Sequence, residues 1–458
     1  MIIRDRQWLG SAKMVSGCIK EHEANVARYN RLHEAYRGNA TIMQRSMLDG
    51  LPNNKLVHNY PRYIVAVASG YLVGNPVNYQ SDQDITPLQE AYKAARVDSV
   101  DSELAKDASL YGKGVELVYA DETGKARASA LDPRFAFVVY DNTVENKPML
   151  GVRYYATYDV EGKPAGYDVI VYDDTSITHY HGDQAADAVY SPGATEPHYF
   201  GRVPMVEYFN NDDETSDFEA VLTLIDAYDK LQSDRLNDNE QMVQALLVLT
   251  GATLEAEPDV IVNGELIRRG RTAGQALRQD KFLQLPDQTA TAQYLAKPSD
   301  GQSAEILRQN IKADIHKFSM IPDLTDENFA ANASGVAMKY KLFGLEQLVM
   351  VKERWFKEAL SERLLLFSNY LSLKGGRVID PDSVEITFKR ALPANELEVS
   401  QMMSYLNGIV PKSLLVAQVP FVTDPAKALE ELEAERLADD RRQAALFEKP
   451  VIDDELLD

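Results

Sequence analysis

The sequence predicts an α+β protein, mainly helical, in which long helices bracket a β-rich stretch. Three observations predict it. Apolar residues recur at three- and four-residue steps over residues 1–50, 218–249 and 336–374. Between residues 115 and 209 that period gives way to short runs rich in Val, Tyr and Phe, separated by turn formers. A hydrophobic content of 45% over 458 residues is ordinary for a globular chain and allows a sizeable core. That length fits roughly two to four structural units at about 100–200 residues per domain.

Ile19, His22, Val26, Tyr29, Leu32 and Tyr36 mark one face of the first helix, which Arg37-Gly38-Asn39 ends. A second helix is predicted over residues 53–72, stopped by Gly74-Asn75-Pro76. A third, over 86–111, carries Leu88, Tyr92, Ala95, Val97, Leu104 and Leu110. Strands are predicted over 115–119, 126–131, 135–139, 150–158, 166–172 and 177–180. Asp121-Glu122-Thr123-Gly124, Asp141-Asn142, Glu161-Gly162-Lys163-Pro164 and Asp173-Asp174 punctuate them, so they read as an antiparallel meander. Residues 181–200 read as a polar loop and 206–209 as a last strand. Residues 210–217 (NNDDETSD) read as an acidic hinge in which Ser216 or Asp217 caps the next helix.

That helix is predicted over 218–249. Its middle, SDRLNDNEQ, is polar almost all round, the signature of a solvated spacer or of an oligomer wall. Residues 251–300 form a small β-rich module with strand-like pieces at 260–262 and 282–285. Arg268, Arg269, Arg271 and Arg278 concentrate charge there, either as a solvated surface or as a contact for an acidic partner or DNA backbone. A helix resumes at Ser303 with Leu307, Ile311, Ile315 and Phe318 on one face. Arg308 and Lys312 flank that face and Lys317 lies further round, as a solvated face or a weak phosphate track. Ile321-Pro322 stops the helix.

Residues 323–335 (DLTDENFAANASG) are a loop by composition, and Ser334 is a good N-cap for the helix beginning at Val336. This longest helix is predicted over 336–374, roughly 55–60 Å at about 1.5 Å per residue. Its stripe is Leu345, Val349, Phe356, Leu360, Leu364, Phe367 and Leu371, and Gly375-Gly376 ends it. A strand at 384–388 and further helices from Pro393, broken at Gly408, Pro411, Pro420 and Pro425, complete the pattern. The acidic residues 426–458 begin as helix and end without fixed structure.

The net charge of −22 is spread along the chain and lacks the basic face that tight phosphate binding needs. The single cysteine, Cys18, cannot form an intramolecular disulfide and reads as a small buried side chain. The first residues lack the apolar core of a secretory signal, and no run of about 18 apolar residues exists. The expectation is a soluble, intracellular protein with no membrane contact. The sequence contains no Gly-x-x-x-x-Gly-Lys-Ser/Thr loop, no Gly-x-Ser-x-Gly elbow and no His-Glu-x-x-His, so no ATP, acyl-transfer or zinc-peptidase site is expected. His179 and His181 share one face of a strand, with Asp183 nearby. Two ligands do not make a metal site, and a polar strand edge is the expected reading. Gly70 and Gly74 read as helix packing or helix termination, and Asp212-Asp213-Glu214 as a solvated hinge. No catalytic residue, cofactor or metal is expected.

Five stretches, in order, resemble one family. They are 52–60 (PNNKLVHNY) running on to the Tyr71-Leu72-Val73-Gly74-Asn75-Pro76-Val77 stop; 104–116 (LAKDASLYGKGVE); Leu131-Asp132-Pro133-Arg134 with Val138-Val139-Tyr140-Asp141; 218–249; and 322–346 (PDLTDENFAANASGVAMKYKLFGLE). Together they are similar to portal proteins of long-tailed phages of Gram-positive hosts. The resemblance implies a portal fold with a wing at 1–216, stem helices at 217–250 and 302–322 and a clip at 251–301. It further implies a tunnel loop at 323–335, a long helix and wing strand at 336–392, and a crown with an acidic tail at 393–458. It implies a homo-oligomeric ring, usually a dodecamer, at the portal vertex of a virion and assembled in the host cytoplasm. Double-stranded DNA would pass through that ring, weakly held. The partners implied are the terminase large subunit, the head–tail adaptor, and the major capsid and scaffolding proteins. Asn328, Asn332 and Ser334, with Arg308, Lys312 and Lys317, would face the channel, and the four clip arginines would dock partners. The competing expectation is a ring scaffold of another large assembly with no DNA in its pore.

Overall fold

In the computed structural model, the described residues are 1–48, 51–243, 246–250, 256, 258–262, 265–272, 275, 290–295, 301–325, 335–373, 375, 379–390, 396–416, 419, 422 and 425–447. The chain divides into two units. One comprises Met1–Arg37, Tyr60–Ala220 and His316–Asp458, and the other Gly38–Asn59 and Val221–Ile315. Among the described residues the secondary structure is mixed helix and strand, as the α+β reading expects.

The first unit opens with a strand, β1 (Ile2–Arg4), where the sequence pattern suggests helix. Helix α1 (Ala12–Arg37) follows and buries the predicted face at Ile19, His22, Tyr29 and Leu32. Gly38, at φ +86°, ends it in the left-handed region that glycine enters without strain. Helix α2 is Tyr60–Val73 and strand β2 is Asn78–Ser81. The predicted helix over 86–111 is two, α3 (Thr86–Ala95) and α4 (Val97–Tyr111), broken at Arg96 with φ 55°. The reason is phase. Leu88, Tyr92 and Ala95 make one buried stripe, and Val97, Val100 and Leu104 another. Residues 95 and 97 lie about 200° apart on one helix, so only a break buries both stripes.

The predicted meander is divided between two sheets. Strands β3 (Lys113–Ala120) and β4 (Ala126–Leu131) pair with each other, and β10 (Met205–Phe209) adds to β3. Strands β5 (Ala136–Asp141), β6 (Pro148–Tyr158), β7 (Pro164–Tyr172), β8 (Ser176–Gly182) and β9 (Ala194–Pro197) form consecutive antiparallel pairs. Strand β1 joins β5 in parallel and completes six strands. The stretch read as a polar loop thus contains β9 and a short helix, α5 (Ala185–Ala188), whose Ala185, Ala186 and Ala188 are buried. One face of the six-stranded sheet packs Phe137, Val139, Val152 and Val169 against Met14, Cys18 and Ile19 of α1. The other packs Val138, Tyr140 and Ile170 against Val115, Leu117 and Met205 of the second sheet. Gly151 is required there, because a Cβ at that position would overlap the Met205 side chain.

Ser216 and Asp217 do not simply cap a helix. A 3-10 turn, Glu219–Val221, follows Ser216, whose hydroxyl donates to the Ser109 carbonyl at 2.9 Å. Asp217 is buried and paired with Lys352 and Ser109. Gly70 has no neighbour within 4 Å of a notional Cβ, so it does not serve close packing. The Gly74 amide donates to the Gly70 carbonyl as α2 ends.

In the second unit, helix α6 (Leu222–Val243) is shorter than predicted. The apolar run Leu246–Thr250 leaves it to form β11, antiparallel to β14 (Thr291–Leu295). The hairpin of β12 (Val260–Val262) and β13 (Glu265–Arg268) matches the predicted piece at 260–262; the piece at 282–285 lies outside the described residues.

Residues 53–59, predicted helical, are extended, and the polar middle of α6 explains why. Asp229, Ser233 and Asn237 stand at i, i+4 and i+8 and are buried. Asn237 Oδ1 accepts from the Asn54 amide at 2.8 Å and Ser233 Oγ from the Leu56 amide at 2.9 Å. Asp229 Oδ1 accepts from the His58 amide at 2.8 Å and its ring Nδ1 at 2.9 Å. Four helical residues advance about 6 Å and two extended residues about 6.6 Å, so the ladders run in register. The polar helix centre is a docking rail for its own chain and not a solvated spacer.

Helix α7 (Gly301–Ser319) follows, then α8 (Gly335–Lys341) and α9 (Phe343–Ser372), with a break at Leu342 in the single long helix predicted. Strand β15 (Val384–Thr387) pairs with β2. Helices α10 (Glu396–Leu406), α11 (Lys412–Val416) and α12 (Pro425–Phe447) end the described chain; residues 448–458 lie outside it.

Candidate functional site

The predicted apolar face of α7 is largely uncovered. Ile315 is buried, but Leu307 and Phe318 are exposed, as is Ile306 beside them. Arg308 is ion-paired along its own helix. Its Nε and Nη2 grip Glu305 at 3.0 and 2.6 Å, and Nη1 reaches the Tyr228 hydroxyl at 3.3 Å. Arg235 adds a 3.0 Å contact to Glu305. The Arg308 hydrogen bonds hold the Glu305 carboxyl at about 2. Lys312 is half-buried; Lys317 is exposed, with Nζ 5.5 Å from the Phe318 ring centre.

Beyond α7 the chain turns sharply. Met320 has φ 58°, a left-handed conformation costly for an apolar L residue. The turn is clamped: the Tyr63 hydroxyl donates to the Pro322 carbonyl at 2.7 Å and accepts from the Leu324 amide at 3.1 Å. His316 Nδ1 donates to the Ile321 carbonyl at 3.0 Å, and the Tyr60 and Tyr63 rings meet the imidazole edge-on. Asp323 accepts from the Thr325 amide and closes a small turn. Asn328, Asn332 and Ser334 lie outside the described residues.

In the arginine-bearing module, Arg268 pairs with Val260 in the hairpin backbone, Arg269 is exposed and Arg271 half-buried; Arg278 lies outside the described residues. Val260, Ile261 and Leu266 leave apolar surface exposed on both strands. A two-stranded hairpin with little cover is marginal by itself.

His179 and His181 do not converge. His181 Nδ1 turns to Asp168 on β7 at 2.8 Å, and His179 Nε2 to Glu196 on β9 at 3.4 Å. Among the described residues no group of three metal-binding side chains comes together. No described helix is long and apolar enough to cross a membrane. Of the acidic hinge, Glu214 is half-buried, paired with the N-terminal amine and 3.9 Å from Lys113 Nζ.

Sequence periodicity missed one feature, an exposed stripe on α9. Phe343, Gln347, Met350, Val351, Arg354 and Glu358 face outward, opposite the buried Leu345, Val349, Phe356, Leu360, Leu364 and Phe367. The signal was present: Phe343, Met350 and Val351 are apolar residues that fall off the core stripe.

A family model described as phage portal protein, SPP1 Gp6-like, matches residues 16–442. This chain belongs to that portal family. The portal protein of Bacillus phage SPP1 is 26% identical over 431 residues, covering 90% of this chain and 81% of that one. The portal protein of Clostridium phage phiCD119 is 23% identical over 422 residues, covering 85% and 87%. Among solved structures, a chain in the virion of a native gene transfer agent particle aligns at TM-score 0.43 and 13% identity. It covers 88% of this chain and 92% of that one. A chain from the neck of the native particle, computed with C12 symmetry, aligns at TM-score 0.40 and 14% identity, covering 79% and 89%. The family assignment rests on the match across residues 16–442, which spans both units.

Proposed function

We propose that this portal-family chain is the ring-forming subunit of a phage head vertex. Copies close around a channel through which double-stranded DNA is packaged and later ejected. Residues 1–216 are assigned to the wing, 217–250 and 302–322 to the stem, 251–301 to the clip and 323–335 to the tunnel loop. The long helix and wing strand are 336–392, and the crown with its acidic tail is 393–458. The observation that carries the reading is the family match over residues 16–442. The sequence has no ATP-binding loop, so the subunit is a passive conduit and the motor, a terminase, docks from outside.

The charge fits a conduit. Each phosphate neutralised by Lys or Arg adds salt-sensitive affinity, and a ring repeats every contact. A subunit of net charge −22 whose Arg308 is spent on Glu305 avoids that grip. Electron microscopy and native mass measurement of the purified protein are expected to show closed rings, twelve-fold in the family pattern, around a duplex-wide channel. Those rings should bind duplex weakly at physiological salt. Tight binding with a steep salt slope would end the low-grip reading, and rings without such a channel would favour a scaffold of another assembly.

The clip is the expected dock for terminase and for the head–tail adaptor. Replacing Arg268, Arg269 and Arg271 together with Ala should weaken terminase capture in a pull-down while rings still form. Loss of the rings themselves would make these side chains structural.

A further inference from the structure

Residues 41–48 and 51–58 form a strap along α6. The Thr41 hydroxyl donates to Asp226 at 3.3 Å, and Arg45 pairs with Asp234. The amides of Asn54, Leu56 and His58 sit on Asn237, Ser233 and Asp229. With its inner side so held, the strap turns apolar side chains to solvent. Leu48 is 79% exposed, and Met43, Met47 and Leu51 are exposed with it. The charged residues among those described here are both committed, Arg45 to Asp234 and the Asn54 carbonyl, Lys55 to the Met43 carbonyl.

Helix α7 is held on the other side of α6. Arg235 of α6 reaches Glu305 at 3.0 Å, and the Tyr228 hydroxyl meets Arg308 Nη1 at 3.3 Å. At about 100° per residue, Tyr228 and Arg235 point roughly opposite to the centre of the arc that holds the strap. Only the strap's end, at His58, reaches round to the Tyr228 ring. Both sets of contacts fall between Asp226 and Asn237, roughly 16 Å of helix. The outer face of α7 is free of exposed charge. Ile306 is 53% exposed, with Leu307, Asn310 and Ala313 exposed beside it, and the charged residues of 301–315 are all half-buried.

Exposed apolar surface that is poor in charge marks the core of a contact. In a chain with 26% charged residues, one subunit carries two such surfaces. They lie on opposite sides of one helix and at one height along it. A head-to-tail contact needs two different surfaces, and it makes a ring where the rotation closes. Equal height lets successive copies stand side by side and close, where unequal heights would make them climb. Both surfaces are apolar, so their contact strands no charge out of water. We propose that the strap of one copy, through Met43, Met47, Leu48 and Leu51, packs on the outer face of α7, at Ile306 and Leu307, of the next copy. The proposal deepens the ring reading and rests on it.

The test uses the full chain. Leu48→Glu and Ile306→Glu place a charge on the strap and on α7 where the single subunit meets water, so each variant should fold, as circular dichroism and melting check. Each should raise the concentration needed for half-assembly by at least about tenfold, read by native mass measurement. Pairing of the two surfaces is read by cross-linking. Cys18 is the chain's one cysteine and is buried. A chain with both Leu48→Cys and Leu307→Cys, treated with a short bis-maleimide, should give a ladder on a denaturing gel that ends at the full ring. A mixture of the two single variants should stop at dimers, and each single variant alone should stay monomeric on the gel. If the unaltered chain never forms rings, the function reading fails and this proposal with it. If rings form but either glutamate variant assembles normally, the ring reading stands and this contact is wrong. The contact is equally wrong if both glutamate variants disrupt assembly but the chain with both cysteines gives no ladder, because the two surfaces then meet other occupants.

Discussion

Replacing Arg363 with Met should cost about 3–5 kcal/mol of stability, the range found when one partner of a buried ion pair is removed. Arg363 is fully buried on α9. Its Nε donates to Glu116 Oε1 on β3 at 2.8 Å, and its Nη1 lies 2.6 Å from Asp101 Oδ1 on α4. The Tyr208 hydroxyl on β10 donates to Glu116 Oε2 at 2.6 Å, and its ring lies 5.5 Å from the guanidinium carbon. One side chain thus ties α9 to α4 and to the three-stranded sheet. Removing its charge leaves two carboxylates facing each other out of water, and the carboxyl of Asp101 is already pushed up to about 6 by burial. Whole domains are stable by only about 5–15 kcal/mol, so the loss is a large share. Chemical denaturation of the purified chain measures it. A triple variant, Arg363→Met with Asp101→Asn and Glu116→Gln, should recover much of the loss, because apolar and neutral replacements remove the desolvation cost along with the attraction. A single variant as stable as the parent would show that the charges contribute nothing net.

None of that network was legible from the sequence, because Arg363 and Glu116 stand 247 positions apart and each alone looks like a surface charge. Local patterns read well where one element's own periodicity decided its burial. The face of α1, the strand at 260–262, the stop at Gly74-Asn75-Pro76 and the core stripe of α9 are examples. Reading failed where a distant segment supplied the hydrogen bonds. Residues 53–59 carry no helix-breaking residue after Pro52, yet they are extended because Asp229, Ser233 and Asn237 accept their amides. The same contacts turned a helix that looked solvated all round into one with a buried polar face. The leucine-rich end of the predicted helix became β11 because β14 offered a partner strand. Of the candidate site, Arg308 was found as a charge on a helix, and its commitment to Glu305 three residues earlier was within reach of helical spacing. The family resemblance, by contrast, lay in ordered short motifs, and these need no three-dimensional information to be seen.

His22 sets the second large effect, a loss of stability in acid. Its ring is buried, stacked on Phe137 at 4.6 Å. Nε2 lies 2.9 Å from the Pro133 carbonyl, which can only accept, so that nitrogen carries the proton. Nδ1 then accepts from the Tyr154 hydroxyl at 2.8 Å. A second proton on Nδ1 would force the Tyr154 hydroxyl to turn to its other acceptor, the Arg134 carbonyl at 3.4 Å. Burial, with the charge of Lys113 adding to it, pushes the imidazole down to about 3. The unfolded chain takes up that proton near pH 6.5 and the folded chain only near 3, so stability contributed by neutral His22 is present above about pH 6.5 and lost as pH falls toward 3. The slope is about 1.4 kcal/mol per pH unit, or roughly 4 kcal/mol across the window. Asp101 and Asp107 act with the opposite sign. Burial pushes each to about 6, so their contribution grows as pH falls from 6 toward 4 and partly masks the histidine. Comparing the parent with His22→Gln cancels the two carboxyls, which both chains share. The variant should be less stable at pH 7, and the gap should close as pH falls from 6.5 to about 4, followed by denaturant unfolding at each pH. A gap that stays constant over that range would mean that His22 takes up its proton inside the fold at no cost, against its burial and the nearby charge of Lys113.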